Sequence, residues 1–476
     1  MSSGNVPRPS SIGSAEGMRA PKAVRWIVRT LEDAGYETWA VGGAVRDALA
    51  GDPSGDWDLT TRAEPGTVRK LFKRSVPIGI DHGTVGVLAR DGTLYEVTTF
   101  RRDVETTGRH AVVEFADSVE EDLARRDFTI NAVAWHPIRG ELRDPFGGVD
   151  DLQERRLRTV GSPDERFRED YLRVLRGLRF AGVFGLTVDP DSWRGLVRGV
   201  AFLDRLSAER VREELLKVLG GAGRPSRSLA LYAASGALAR LAPELNRLVG
   251  EDRRDGGDDD LWSHALRTVD LLPPHRPRLR LAALFTGVGW PEAQSRDRGR
   301  KSPGPRERAA LRAAAVLERL RFSNDEIRHV VGLAGWSGFF PEGDPGDEEI
   351  RRWLAGAGRE QLHGFFRLWW AEARANACRG AGPGPDTVLR RRWRIREVLS
   401  REPALKVGEL ALDGRDLIRM GYRPGPHFGR VLEYLLDRVL EAPDANDPET
   451  LARWASEYLE AAGVSPASGP GGSHER

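Results

Sequence analysis

Between Trp39 and Leu59 the chain sets down a strand end, a double glycine, a short helix and two aspartates one residue apart. This order constrains the fold more than any other feature. Trp39, Ala40 and Val41 are apolar and end a strand. Gly42-Gly43 then allows a tight turn and a close approach of backbone to a ligand. Ala44 to Ala50 reads as a helix, whose free N–H groups and positive end favour an anion at the turn. Arg46, one turn in, reaches toward the same anion. The run Asp56–Thr60 reads as a strand, on which Asp56 and Asp58 share a face. Carboxylates so close repel unless a cation lies between them. Mg²⁺ suits such a pair, since it takes one or two carboxylates and completes its shell with phosphate oxygens. Alone, a double glycine is commonly only a turn, and Asp-x-Asp only a solvated loop or cap. In this order, with Arg46 between them, they indicate a phosphate and metal site.

Two further clusters carry chemistry. In Glu121-Asp122-Leu123-Ala124-Arg125-Arg126-Asp127-Phe128-Thr129-Ile130-Asn131-Ala132, Arg126 suits phosphate or ribose. Asp127 suits a ribose 2′-hydroxyl, which favours ribonucleotides; the plainer reading is a surface ion-pair cluster. The run Arg168–Phe180 reads as one helix, so that Asp170 and Arg173, three apart, share a face. Aspartate accepts and arginine donates, which complements a base edge with an amino group beside a ring-nitrogen acceptor. Cytosine and adenine have that edge, whereas guanine and uracil set a carbonyl beside a ring N–H. The plainer reading is an ion pair worth about 0.2–0.5 kcal/mol.

Taken together, these motifs resemble those of the polymerase-β-like nucleotidyltransferases, in the class II branch that holds bacterial tRNA CCA-adding enzymes and poly(A) polymerases. The resemblance runs from Ala23 to Ala462 and is tighter in the N-terminal part. It implies that Asp56 and Asp58 bind two Mg²⁺ ions that activate a 3′-hydroxyl and stabilise the leaving pyrophosphate. Glu96, in Tyr95–Phe100, is the candidate third acid; otherwise it is an exposed strand carboxylate. The resemblance assigns nucleotide binding to Gly42, Gly43, Arg46, Arg126, Asp127, Asp170, Arg173 and Arg176. Arg179 also matches a family position, but helical steps carry it nearly opposite Asp170, toward RNA or a neighbouring helix. Asp144–Gly148 and Asp150–Leu152 match a domain-closing turn. Phe100–Val119 corresponds to a flexible loop tied to nucleotide choice. The implied reaction is transfer of CMP and AMP from CTP and ATP to a tRNA 3′-end. Poly(A) addition, addition of CC or A alone, and an inactive RNA-binding protein are the alternatives. A small-molecule nucleotidyltransferase is disfavoured by the long helical body.

The expected fold is α+β. A polymerase-β-like head with a small mixed sheet (21–158) precedes an all-α neck (159–222), body (223–345) and tail (346–465), flanked by a disordered leader (1–20) and end (466–476). Short β-rich runs at Glu37–Val41, Thr84–Ala89 and Thr93–Phe100, with Asp91-Gly92 as a hairpin turn, support the head. Beyond Asp164 the pattern is helical, interrupted at 250–260, 294–307, 341–348 and 380–385. Leu261–His264 and Leu281–Pro291 are similar to a metal-dependent His-Asp phosphohydrolase domain, but Thr286 and Gly287 stand where its ligand pair belongs. Phosphohydrolase activity is not expected of this degenerate HD-like body. Ala411–Leu440, with Arg415, Arg419, Arg423 and Arg430, resembles the tRNA-binding tail, or is an ordinary helical surface.

Composition adds exclusions. Lys plus Arg number 73 against 71 Asp plus Glu, so nucleic-acid binding cannot be argued from the total charge. The single cysteine, Cys378, excludes an intrachain disulfide and a Cys-rich zinc site. No apolar run has membrane-spanning length and the leader lacks an apolar core, so a cytoplasmic location is expected. The partners expected are tRNA, at its 3′-end and elbow, with ATP and CTP; no membrane or protein partner is inferred.

Overall fold

The computed structural model describes residues 18–51, 56–79, 83–107, 110–221, 223–252, 259–289, 304–338, 345–377 and 384–466, with only the backbone described for 103–107 and 110–113. Cys378, most of the expected leader and end, and parts of all four helical interruptions lie outside these residues. The chain divides into two compact units, Met1–Asn246 and Arg247–Arg476. Residues 223–246, expected to open the body, therefore belong with the first unit.

The first unit is built on a seven-stranded sheet. Its strands are β1 (Thr38–Val41), β2 (Asp58–Thr61), β3 (Ser75–Gly79), β4 (Thr84–Leu88), β5 (Leu94–Thr99), β8 (Ala134–Trp135) and β9 (Leu142–Arg143), in the order β3-β4-β5-β2-β1-β8-β9. The pairings β1–β2, β3–β4, β4–β5, β1–β8 and β8–β9 are antiparallel, and β2–β5 is parallel. A mixed sheet was expected, and Gly92, at φ +83°, makes the β4–β5 turn. Central β1 is buried at every position, as a strand covered on both faces must be. A separate hairpin, β6 (Arg101–Thr107) with β7 (His110–Phe115), occupies the segment expected to be a flexible loop. The charged run Arg101-Arg102-Asp103 hid the strands, although Val112, Val113 and Phe115 of β7 are residue types that favour them.

Helices α1 (Lys22–Asp33), α2 (Gly43–Leu49), α3 (Pro65–Leu71), α4 (Val119–Ala124) and α5 (Gly148–Gln153) accompany the sheet. A helical bundle follows: α6 (Pro163–Glu169), α7 (Leu172–Phe184), α8 (Pro190–Val200), α9 (Ala208–Gly220), α10 (Pro225–Ala234), α11 (Ala237–Leu241) and α12 (Pro243–Asn246). Short strands β10 (Arg156–Leu157) and β11 (Thr187–Val188) pair in parallel between the two regions. Helix starts follow sequence chemistry: Ser118, Asp189 and Ser207 accept from backbone N–H groups of α4, α8 and α9. Gly185, at φ +61°, ends α7. Gly182 lets α7 and α10 meet, since a Cβ there would fall 2.3 Å from Ser228 N.

The second unit is helical among its described residues, from α13 (Leu261–Asp270), α14 (Pro277–Phe285), α15 (Pro305–Arg319) and α16 (Asn324–Ser337) through α17 (Asp347–Ala357), α18 (Leu362–Ala377) and α19 (Pro385–Leu399) to α20 (Gly414–Arg419), α21 (Pro426–Glu441) and α22 (Pro448–Ala461). The last helices enclose their own core around Leu417, Val431, Leu435, Leu451 and Leu459. No described helix is long and apolar enough to cross a membrane.

Candidate active site

Gly42 has φ +75° and precedes α2, a backbone conformation open to glycine at little cost. A Cβ on it would lie 3.2 Å from Arg126 Nη1 and 3.6 Å from Asp58 Oδ2. The absent side chain therefore lets a strand end, an aspartate and an arginine close on one another. Val41 pairs with Asp58 across β1–β2, and Leu59 pairs with Val97 across β2–β5. Asp58 and Glu96 each stand one residue before the second pair, on one face of the sheet.

The ladder begins at Asp58, two residues later than the expected start at Asp56. Asp56 is exposed ahead of it, and Trp57 is buried against Trp135. Asp58 lines the adjoining cavity, and Asp56 is not among the residues lining it. The Asp58 carboxyl is pushed up to about 6, first by burial, then by the negative charges of Asp56 and Glu96, against the pull of Arg126. Asp56 and Glu96 thus both act electrostatically on Asp58. No group of three or more His, Cys, Asp or Glu among the described residues is close enough to cage a metal alone.

A cavity of about 660 Å³ opens here. It is lined by Asp58 and Glu96 from the sheet, Gly42, Gly43 and Arg46 from the turn and α2, and Arg126, Asp127, Asn131, Asp170, Arg173 and Arg176 from the helical side. Arg46 is buried, with Nη1 donating to Asn131 Oδ1 (2.7 Å) and Nε to Asp47 Oδ1 (2.8 Å). Its guanidinium lies 4.2 Å from the Phe184 ring centre. Burial lowers its pKa and Asp47 opposes this, but an arginine stays charged. Arg126 donates to Asp122 Oδ2 (3.0 Å) and to the Asn131 carbonyl (3.4 Å). Its Nε is buried with no hydrogen-bond partner among the described residues.

Asp127 accepts from Phe128 N (2.9 Å) and Asn131 Nδ2 (3.0 Å) on Oδ1, and from Arg176 Nε (2.7 Å) on Oδ2. Burial alone would raise its pKa, but Arg176, Asn131 and the Phe128 N–H together hold it below the ordinary carboxylate value.

The expected single helix over 168–180 is broken. Asp170 is extended (φ −153°, ψ 107°) between α6 and α7, and its Oδ1 accepts from Leu172 N (3.0 Å). An aspartate that bonds to backbone two residues on competes with helix continuation. Asp170 and Arg173 therefore do not share a helix face as expected, although both line the cavity. Each is engaged elsewhere: Asp170 Oδ2 accepts from Arg210 (2.7 Å), and Arg173 donates to Glu169, to the Arg166 carbonyl (3.1 Å) and to the Arg125 carbonyl (3.1 Å). Arg179, expected among the nucleotide-binding residues, is not among those lining the cavity. It donates to buried Glu214 Oε2 of α9 (2.7 Å), which fits the neighbouring-helix alternative.

Two family signatures match this unit: the poly A polymerase head domain over 38–158, and the probable RNA and SrmB-binding site of polymerase A over 185–248. A CCA-adding enzyme of Anoxybacillus flavithermus is 44% identical over 433 residues, spanning 90% of this chain and 95% of the relative. One of Geobacillus stearothermophilus is 33% identical over 443 residues, with coverage of 90% and 95%. The crystal structure of the Bacillus stearothermophilus CCA-adding enzyme in complex with CTP matches with a TM-score of 0.68 at 30% identity, covering 94% of this chain and 99% of that one. The chain belongs to the CCA-adding enzyme family. This is a family of nucleotidyltransferases that generally use divalent metals.

Several cavity residues of this family member were not singled out from sequence as functional. Arg210 lies 40 positions beyond Asp170 and no local spacing connects them. Asn131 sits inside a motif that was recognised, but its own contacts were not legible. In the second unit, the position that would supply a metal-binding carboxylate is apolar: a Cβ on Gly287 would lie 3.7 Å from Leu261 Cδ2 and 3.9 Å from Leu248 Cδ2. Thr286 donates its hydroxyl to the Ala283 carbonyl (3.1 Å) at the end of α14.

Proposed function

We propose that this chain adds C, C and A to tRNA 3′-ends from CTP and ATP, releasing pyrophosphate, with Mg²⁺ as the metal and Asp56 and Asp58 as its ligands. The observation that carries the reading is the convergence of Asp58, Glu96, Arg126, Asp170 and Arg173 on one cavity, in a chain alike to CCA-adding enzymes over nearly its whole length. The donor set suits the metal: Asp58 is pushed up to about 6 by burial and then by the neighbouring acids, a cost that a cation would relieve, and Gly42 leaves room beside its Oδ2. When bound, Mg²⁺ supplies charge neutralisation on the triphosphate and activation of the attacking hydroxyl.

The tRNA 3′-oxygen forms a bond to the α-phosphorus as the bond from that phosphorus to the bridging α–β oxygen breaks. The hydroxyl proton passes to solvent, and pyrophosphate leaves with the bridging oxygen. Arg126, whose Nε has no acceptor among the described residues, suits phosphate or ribose. Asp127, ionised and fixed by Arg176, suits a ribose hydroxyl. Asp170 has acceptor capacity beyond its two bonds, and Arg173 has donors beyond its three. Together these suit the amino and ring-nitrogen edge of C and A. Glu96 is the proposed third acid.

The test is to incubate the protein with tRNA lacking its last three nucleotides, Mg²⁺, CTP and ATP, and to sequence the product ends. Products ending in CCA support the proposal. Long A tails would instead favour poly(A) addition, to which the matching head-domain signature also belongs. No extension would sink both.

A further inference from the structure

Asn131 is buried, lines the cavity and touches three of the proposed nucleotide-binding side chains. Its Oδ1 accepts from Arg46 Nη1 at 2.7 Å, and its Nδ2 donates to Asp127 Oδ1 at 3.0 Å. Its carbonyl accepts from Arg126 Nη1 at 3.4 Å. Asp127 in turn fixes Arg176 of α7 at 2.7 Å. The contacts join segments far apart in sequence: Arg46 lies 85 positions from Asn131, and Arg176 lies 49 from Asp127.

The chemistry of the two ends is opposed. Arg46 has only donors and an ionised Asp127 has only acceptors. The bridging side chain must offer an acceptor and a donor a short distance apart, which a primary amide does. An ionised carboxylate keeps the first bond and turns the second into repulsion. A hydroxyl is too short to reach both.

We infer that Asn131 is a positioning residue for nucleotide binding, setting Arg46 and Asp127, and through Asp127 also Arg176, in one arrangement around the incoming nucleotide. The inference rests on the reading of this cavity as a nucleoside triphosphate site. Because Asn131 touches those residues and has no hydrogen bond to Asp56, Asp58 or Glu96 among the described residues, its loss acts on nucleotide affinity more than on the chemical step. The KM for both CTP and ATP should rise while kcat holds.

The test is a double-mutant cycle with Asp127. N131D in the native background should raise the KM for CTP at least about tenfold, with kcat within about threefold. In a D127N background an amide at 127 can donate to a carboxylate at 131 and still accept from Arg176; it loses the Phe128 N–H bond with either residue at 131, so that cost cancels in the cycle, and the same change should raise KM by no more than about threefold. Equal KM changes in the two backgrounds, or a fall in kcat without a change in KM, would overturn the inference. Thermal melting of each variant shows whether it folds. Should N131D not fold, N131A carries the test: a KM rise for both nucleotides supports the role, and an unchanged KM overturns it. CTP binding to the unmodified protein, followed by calorimetry, separates the two readings. If the unmodified protein binds no CTP, the cavity assignment fails; if it binds and the cycle is additive, only the role of Asn131 fails.

Discussion

The cavity of the first unit and the α13–α14 region of the second make a useful contrast. Both resemble places where metal-dependent chemistry occurs in related folds. In the first, charged groups are kept in an environment that opposes them: Asp58 is pushed up to about 6 beside two other acids, and Arg46 is buried. In the second, the position expected for a ligand carboxylate is a glycine facing leucines, and His264 stands on α13 without a histidine-carboxylate pair in sequence. Charge is retained in an opposing environment beside the cavity, whereas leucines surround the expected ligand position of the second unit.

The contrast can be broken most directly at the acids. Asp58→Ala should lower the rate of CMP addition roughly a thousandfold, about 4 kcal/mol in the barrier, in single-turnover assays at saturating Mg²⁺. A loss below tenfold would remove Asp58 from the chemistry.

The same residue gives a stability test of opposite sign. Its folded pKa of about 6 lies above the ordinary carboxylate value, so the native state holds the proton more tightly than the unfolded chain. Its contribution is therefore neutral below about pH 4, increasingly destabilising from about pH 4 to 6, and level above that. Without divalent cations, Asp58→Asn should stabilise the protein at pH 8 by up to about 3 kcal/mol, read by urea unfolding, with little effect at pH 4. Equal effects at both pH values would contradict the picture of a strained acid.

Gly42→Ala sharpens the geometry of the turn. Left-handed backbone and a Cβ at 3.2 Å from Arg126 should cost about 1–2 kcal/mol of stability and weaken nucleotide binding, measured by denaturation and CTP titration. The smallest effect belongs to the second unit. His264→Ala should leave CMP addition within about twofold, a barrier change below about 0.5 kcal/mol; a larger fall would show that the α13–α14 region still serves the reaction.

How much of the site could be read in advance depended on how local each contact is. The turn at Gly42-Gly43, the Asp56–Asp58 alternation and the Asp91-Gly92 hairpin follow from neighbouring residues, and the first-unit sheet is assembled from them. The break at Asp170 did not show, because helical apolar spacing continues through it. Only the turn of its own carboxylate toward Leu172 N, with Arg210 holding the other oxygen, separates α6 from α7. The β6–β7 hairpin was hidden by the charged run that opens it, Arg101-Arg102-Asp103, although β7 carries Val112 and Val113. Arg179 matched a motif position, yet Glu214, 35 positions away, claims its guanidinium.

What the amino-acid order determined unaided was the set of short-range devices and the identity of the acids and arginines, because turns, caps and alternation depend on a few adjacent dihedrals. What the tertiary structure alone decided was which polar group meets which. Arg210 with Asp170, Arg46 with Asn131 and Arg176 with Asp127 are pairings across 40, 85 and 49 positions. They depend on how strands and helices stack, and a burial environment such as that of Asp58 exists only once those elements have closed around it.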